Sequence, residues 1–384
     1  MFFDFDTTAT SPVLPQVMEL YALHLTRAAN NPSSAHAGGI QAAGLYEEAR
    51  RSIARSLDCL PEEVFFTSGG TESINLAIKG TAGLVRRKPK RAVTSAGEHD
   101  AVLASMAWLE ESQGFDLIRI PLLKTGRFDR SALEGALRDN PPFLVSLITV
   151  SNETGAINDP QSFVPAIRNL APQAVIHSDI VQACGKLPFS FRASGLDLAS
   201  AAGHKIGAPK GTGLLIKRVN IQLMPLLHGG GQQSGVRSGT VDVPGALALA
   251  DAVKYHVGRL ASNLDLTAAR RRQFLHELAL REIPHRILSP EDGSPYVLAL
   301  SFPGIRGETL MHALSAESIY ISTGSACGSK KGGENRVLTA MGFDRATILS
   351  AVRISFNPNQ SPEEIRHLAD RIAAHRSHYA LEGQ

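Results

Sequence analysis

A lysine among small residues, a carboxylate and an amide upstream of it, and a cysteine far downstream are the side chains whose types and spacing could do chemistry in this sequence. Lys205 follows His204 within AAGHKIGAPKGTG (201–213), immediately after a predicted strand and before a Gly/Pro turn. A lysine that forms a Schiff base needs such a held, partly desolvated place, because burial lowers the ammonium pKa and frees the amine lone pair. Taken alone, a lysine in a turn is more often structural; its companions change the reading. HSDIVQA (177–183) ends a strand at Asp179, followed by Gln182. A carboxylate there can keep the nitrogen of an aromatic ring protonated, so that the ring withdraws electrons. As a plain helix N-cap it would look the same. SGGTESINLAIKG (68–80) reads as a Gly turn feeding a helix N-terminus near Thr71. Its exposed N–H groups suit a phosphate, although a simple helix start has the same form.

The cysteine, Cys327, lies in STGSACGSKKGGENRVL (322–338), a stretch with little capacity to bury itself. The composition predicts an exposed loop, in which Lys330 and Lys331 would favour the thiolate, the nucleophilic form. Cys59 and Cys184 read as small buried filler. Three cysteines cannot all pair internally, which agrees with a reducing, cytoplasmic location.

These residues must be positioned by a larger frame. Between residues 60 and 220, VFFTS, RAVTSA, FDLIRI, FLVSLITV, AVIHSD and GLLIKR are candidate strands alternating with helical stretches. That alternation predicts an α/β fold with a mainly parallel sheet sandwiched by helices, whose active sites lie beyond the strand C-terminal ends. A single long helix is expected through residues 243–280, bridging to a smaller α+β unit with a helix near 307–316 and a closing helix from Pro362. A chain of 384 residues is too long for one core. We expect a large domain over 15–255 and a small one made of 1–14 and 256–384 carrying the Cys327 loop.

The bulk properties narrow the class of partner. Apolar residues at 43% and charged residues at 20% exclude a disordered or fibrous chain. A net charge of +3 gives no strong field for nucleic acid or an anionic membrane, which favours small-molecule chemistry. The basic cluster Arg86, Arg87, Lys88, Lys90 and Arg91 lacks interleaved aromatics and reads as solvated loop charge. Asp4 and Asp6 stand where a signal peptide needs a basic end, and the longest apolar run, around 143–150, falls far short of the ~20 residues that span a bilayer. A soluble cytoplasmic protein is therefore expected.

Taken together and in order, NNPSSAH (30–36), SGGTESINLAIKG, GEHDAVL (97–103), SNETGAI (151–157), HSDIVQACGK, GHKIGAPKG, HGGGQQSGVRSGT (228–240), STGSACGS and VRISF (352–356) resemble the cysteine desulfurases of pyridoxal-phosphate fold type I. The resemblance is to the nitrogen-fixation and iron–sulfur assembly branch and runs from about residue 3 to 372. It implies a seven-stranded, mainly parallel sheet, pyridoxal 5'-phosphate as cofactor, no metal site, a homodimer, and conversion of L-cysteine to L-alanine with sulfur passing to Cys327 as a persulfide. Lys205 would carry the cofactor, Asp179 would bind the pyridine nitrogen, and His99 would stack on the ring and handle the substrate thiol proton. Gln182 and Asn152 would bond the phenolic oxygen, while Gly70, Thr71 and His204 would hold the phosphate with Thr240 from the second subunit. Asn75 and Arg353 would grip the substrate carboxylate, a task that suits the guanidinium fork. The sulfur acceptor would be an iron–sulfur scaffold or a thiolation enzyme.

The spacing from Cys327 to Val337 resembles the long-loop branch of that family. Three departures stand out: Thr323 and Gly328 beside the cysteine, Ala202 where a phosphate-binding serine is usual, and Gln233-Ser234 where a charged pair is usual. Two other readings are a selenocysteine lyase or related β-lyase, which shares the cofactor site, and a non-catalytic scaffold of the same fold.

Overall fold

The computed structural model describes residues 2–85, 90–324 and 335–380. In chain order, the first part contains β1 (Phe3–Asp4), α1 (Pro15–Arg27), α2 (Ala37–Leu57), β2 (Val64–Thr67), α3 (Gly70–Ala82), β3 (Arg91–Ser95), α4 (Asp100–Gln113) and β4 (Asp116–Ile120). Then follow α5 (Arg130–Asp139), β5 (Leu144–Ser146), α6 (Pro160–Leu170), β6 (Val175–Asp179), α7 (Phe191–Ser194), β7 (Leu198–Ala202) and β8 (Gly213–Lys217). Strands β2 to β8 form one seven-stranded sheet in the order β2-β8-β7-β6-β5-β3-β4. All pairs are parallel except those of β8, which runs antiparallel to both β2 and β7. Its central strands are buried on both faces, which is why they read as continuous apolar runs and not as alternating ones.

The strand that delivers Lys205 to its place is not among the six apolar runs. β7 has the sequence LASAA, which carries no β-branched or aromatic residue, yet every residue is buried. Tertiary contact between β6 and β8 outweighs its weak intrinsic preference.

The expected single helix through 243–280 is two: α8 (Val243–Val257) and α9 (Leu260–Leu280). Gly258 ends the first and Arg259, with φ −120°, starts the second. α8 packs on α1 and α2 against the large sheet, while α9 packs on the closing helix Pro362–Ala380. The break lets one apolar stretch serve two cores.

The second core belongs to an antiparallel sheet of β9 (Arg286–Ile287), β10 (Val297–Ser301) and β12 (Ala351–Ser355), with α10 (Gly307–Ala316) beside it and β11 (Ile319–Tyr320) apart. Phe5, Phe274, Phe302 and Phe356 are buried together there. β1 pairs in parallel with β11, placing Phe3 opposite Ile319. The chain therefore starts in this second layer, and residues 7–11 cross from it to the large sheet. Among the described residues, no helix is long and apolar enough to cross a membrane.

Candidate active site

A cavity of about 320 Å³ opens at the C-terminal edge of the parallel strands. Its lining includes Gly70, Thr71, His99, Asn152, Asp179, Gln182, His204, Lys205 and Arg353, nine side chains or backbones singled out from sequence.

Lys205 sits in a short 3-10 turn (Gly203–Lys205) that begins where β7 ends. Its Nζ donates to the carbonyls of Thr8 (2.9 Å) and Ala9 (2.5 Å), both on the crossing segment. Burial, reinforced by the Arg353 charge, pushes the amine down to about 8, while Asp179 and Asp6 pull the other way. An amine that deprotonates this readily is available as a nucleophile or base near neutral pH.

Asp179 closes β6 and is 3% exposed, with one oxygen accepting the Val181 N–H at 2.9 Å. Burial raises its carboxyl, against the opposing pull of His99, the Val181 N–H and Lys205. Gln182, 4% exposed, donates from Nε2 to Thr8 O (3.1 Å) and accepts at Oε1 from Lys186 Nζ (2.9 Å). His99 is the N-cap of α4: its Nδ1 accepts the Ala101 N–H at 3.1 Å, which leaves the proton of the neutral ring on Nε2. Just before it, Glu98 is buried, with Oε1 accepting from Ser95 (2.6 Å) and the Ile148 N–H (2.8 Å) and Oε2 without a partner. Burial pushes that carboxyl up to about 8, so it is protonated at neutral pH.

At the other end of the cavity, α3 presents its N-terminus. Its first intrahelical bond runs from Ser73 N to Gly69 O (3.1 Å), so the N–H groups of Gly70 and Thr71 precede the ladder. A side chain on Gly70 would stand 3.3 Å from Ala202 Cβ and Val181 Cγ2, and Gly213 of β8 passes so close to Gly69 that a Cβ there would lie 2.5 Å from its Cα. Glycine is what lets the turn lie against the sheet. His204 shares a hydrogen bond with Thr10 Oγ1 (3.1 Å), and burial pushes it down to about 4, leaving it neutral. Ala202 lines the cavity without a hydroxyl.

Arg353 comes from β12, in the second layer. It donates to Asn152 O (3.0 Å) and to Asp6 (2.8 Å), lies 3.6 Å from Glu153, and keeps Nε unpartnered. Glu153 also accepts from Asn335 Nδ2 at 3.1 Å, and a side chain at Gly324 would collide with both Glu153 and Asn335. Gly324 and Asn335 thus meet beside Glu153. Arg336 donates to the backbone carbonyls of Ala96 and Glu98, at the turn that carries His99.

Two of the expected residues lie elsewhere. Asn75 sits one turn into α3, bonded to Thr71 O at 2.9 Å, outside the cavity lining. Thr240 is exposed and lines a separate surface pocket with Ser68, Gln233 and Arg237. Cys327, with Lys330 and Lys331, lies outside the described residues, as do Arg86, Arg87 and Lys88 of the basic cluster. Of the remaining basic pair, Lys90 donates to Gln113 O and Arg91 pairs with Asp116, so both serve the fold. Gln233 ties the Gly-rich segment to β2, accepting from Phe66 N (2.7 Å) and donating to Phe66 O (2.8 Å).

Sequence reasoning missed Glu98, Glu153 and the carbonyls of Thr8 and Ala9. Glu98 and Glu153 stand next to His99 and Asn152 inside motifs already singled out; backbone carbonyls leave no trace in residue types. Cys59 and Cys184 are buried and free, and burial pushes both thiols up to about 12, which fits inert filler.

The aminotransferase class-V family profile matches residues 4–368. A Lactobacillus delbrueckii subsp. bulgaricus protein named NifS/IcsS protein homolog is 40% identical over 363 residues, covering 94% of this chain and 93% of that one. An IscS-like cysteine desulfurase from Mycobacterium tuberculosis is 40% identical over 362 residues, covering 91% and 90%. Among solved structures, a NifS-like protein superposes with a TM-score of 0.92 at 34% identity over 98% of this chain and all of that one. Another, titled SspA in complex with cysteine, gives 0.82 at 30% identity over 94% and all of its length.

Proposed function

The chain belongs to the aminotransferase class-V family, and from that premise we propose that it is a pyridoxal-phosphate-dependent cysteine desulfurase, converting L-cysteine to L-alanine and taking the sulfur on Cys327. One observation carries the reading: the Lys205 amine, lowered to about 8, shares a cavity with the buried Asp179 carboxyl and, from the second layer, Arg353.

The residues fit the cofactor. The space matches a small planar ligand, a donor-rich helix start faces a sheet edge kept bare by Gly70 and Ala202, and a carboxylate is buried at the strand end. Lys205 would hold its aldehyde carbon, Asp179 its ring nitrogen, Gln182 and Asn152 its phenolic oxygen, His99 its face, and Gly70, Thr71 and His204 its phosphate. When bound, pyridoxal phosphate supplies an electron sink for the bond broken at the substrate Cα.

The chain's own residues do the rest. Arg353 anchors the substrate carboxylate, with Asn75 assigned beside it by resemblance alone. The neutral Lys205 amine takes the Cα proton, and His99 handles the thiol proton from Nε2. The Cys327 thiolate attacks the substrate sulfur, so a sulfur–sulfur bond forms as the substrate Cβ–S bond breaks; the electron pair left on Cβ is protonated and Lys205 returns a proton to Cα, giving alanine. Cys327 is three residues beyond Gly324 in the sequence, within roughly 11 Å of chain, and Gly324 stands beside Glu153, which lies 3.6 Å from Arg353.

By the same resemblance, the exposed Thr240 would reach the phosphate of the other subunit in a homodimer. The division into 15–255 and 1–14 with 256–384, a cytoplasmic location, and an iron–sulfur scaffold or thiolation enzyme as acceptor complete the reading. Incubating the purified protein with L-cysteine tests it: alanine should form, and with a reductant sulfide should form in step. Lys205→Ala should lose both products and the visible absorbance of the bound cofactor, by at least about a hundredfold in rate. Cys327→Ser should keep the absorbance and form no persulfide; normal alanine output from it defeats the acceptor role.

A further inference from the structure

Behind the active-site cavity, across the crossing segment that holds Thr8, lies a second cavity of about 320 Å³, which shares Thr8 and Lys205 with the first and is lined by Lys186 and Tyr296. Lys186 is 6% exposed. Its hydrogen bond goes to an amide, Gln182 Oε1 at 2.9 Å, and its charge faces the Tyr296 ring at 5.8 Å. Burial, reinforced by the like charges of Lys205 and Arg353, pushes its ammonium down to about 7, with Cys184 pulling the other way. A buried ammonium so placed is costly to keep, and an apolar side chain would fill the space at less cost.

We propose that Lys186 is a positioning residue that, together with the Thr8 carbonyl, holds which end of the Gln182 amide faces the cofactor. Below about pH 7 Lys186 is an ammonium, which only donates hydrogen bonds, and a backbone carbonyl only accepts them. Gln182 meets one of each: Oε1 takes the proton from Lys186, and Nε2 gives one to Thr8 O at 3.1 Å. Exchanging oxygen and nitrogen would set N–H against N–H on one side and oxygen against oxygen on the other. Two partners therefore specify the same orientation, which leaves the second Nε2 hydrogen to the cavity. Gln182 is thereby held as a donor. The inference rests on the reading of Gln182 as the partner of the cofactor's phenolic oxygen; a donor there stabilises the ionised oxygen, an acceptor would oppose it.

The readout is the visible band of the pyridoxal-phosphate-loaded protein without substrate, and the pH midpoint at which that band titrates. Gln182→Leu should move the midpoint upward by about one pH unit, the size of one lost charge-assisted bond. Lys186→Met should move it the same way, and Lys186→Leu serves equally if the methionine variant folds poorly. Lys186→Arg, which still donates, should recover most of the shift. Adding Lys186→Met to Gln182→Leu should move nothing further, because the lysine acts through the amide. Additive shifts, or an unmoved midpoint in both Lys186→Met and Lys186→Leu, overturn the inference and leave the role of Gln182 standing. An unmoved midpoint in Gln182→Leu itself overturns the assignment of Gln182, and the positioning role falls with it.

Discussion

The two walls of the cavity are built differently. On one side Asp179, Gln182 and Lys205 stand at or just beyond the ends of neighbouring strands of a single sheet, and backbone groups fix each of them. On the other, Arg353 is held by Asp6, Asn152 and Glu153, drawn from the N-terminal segment and the loop after β5, while Arg353 itself comes from the second sheet. The first wall grows from adjacent strand ends of one sheet and suits a group that must stay. The second is assembled from separate parts of the chain and, on the proposed reading, suits a substrate that comes and goes. The Thr8–Ala9 carbonyls join the two, since they hold Lys205 from a segment rooted in the second layer.

That contrast can be broken from the substrate side. Arg353→Lys keeps the charge and loses the planar fork, so KM for L-cysteine should rise roughly 10–100-fold while the cofactor band stays unchanged. Steady-state kinetics alongside an absorbance spectrum check it; a lost band would mean that the walls are not separable. Arg353→Ala is a poorer probe, because it strands the Asp6 and Glu153 carboxylates.

A smaller effect belongs to the sheet-borne wall. On the proposed role, only the neutral Lys205 amine would capture the cofactor aldehyde, and burial pushes that amine down to about 8. Uptake of pyridoxal phosphate by the cofactor-free chain should therefore quicken about tenfold per pH unit below that value and level off above it. Stopped-flow absorbance measures this; a profile that keeps rising to pH 10 would mean that the amine is solvated.

The smallest effect concerns Glu98, raised to about 8 by burial. The folded state keeps the proton that the unfolded state releases from about 4.5 upward, so this group's contribution to stability falls as pH rises between those values. Glu98→Gln keeps the acceptor for Ser95 and Ile148 and cannot ionise. Relative to the natural chain, its Tm should climb from pH 5 to pH 8 by roughly 2–4 °C. A constant difference would show that Glu98 does not titrate in that range.

Much of the site was legible because its chemistry is concentrated in short segments. Lys205 with His204, Asp179 with Gln182, and the Gly turn before Thr71 are each local, and the last two follow strands that the hydrophobic pattern predicts. The illegible parts share a cause: they depend on what lies opposite. β7 is a strand because β6 and β8 flank it, the helix over 243–280 divides because two cores compete for it, and Asn75 turns back to its own helix.

Residue types and their local order determined the kind of chemistry, since a nucleophilic amine, a buried carboxylate and a guanidinium cannot be exchanged for other side chains without changing it. Tertiary structure decided the state in which those groups act: the lowered pKa of Lys205, the proton on Glu98 and the orientation of Gln182. These follow from desolvation and from partners far away in the chain, and free energies of that kind arise only when the segments close upon one another.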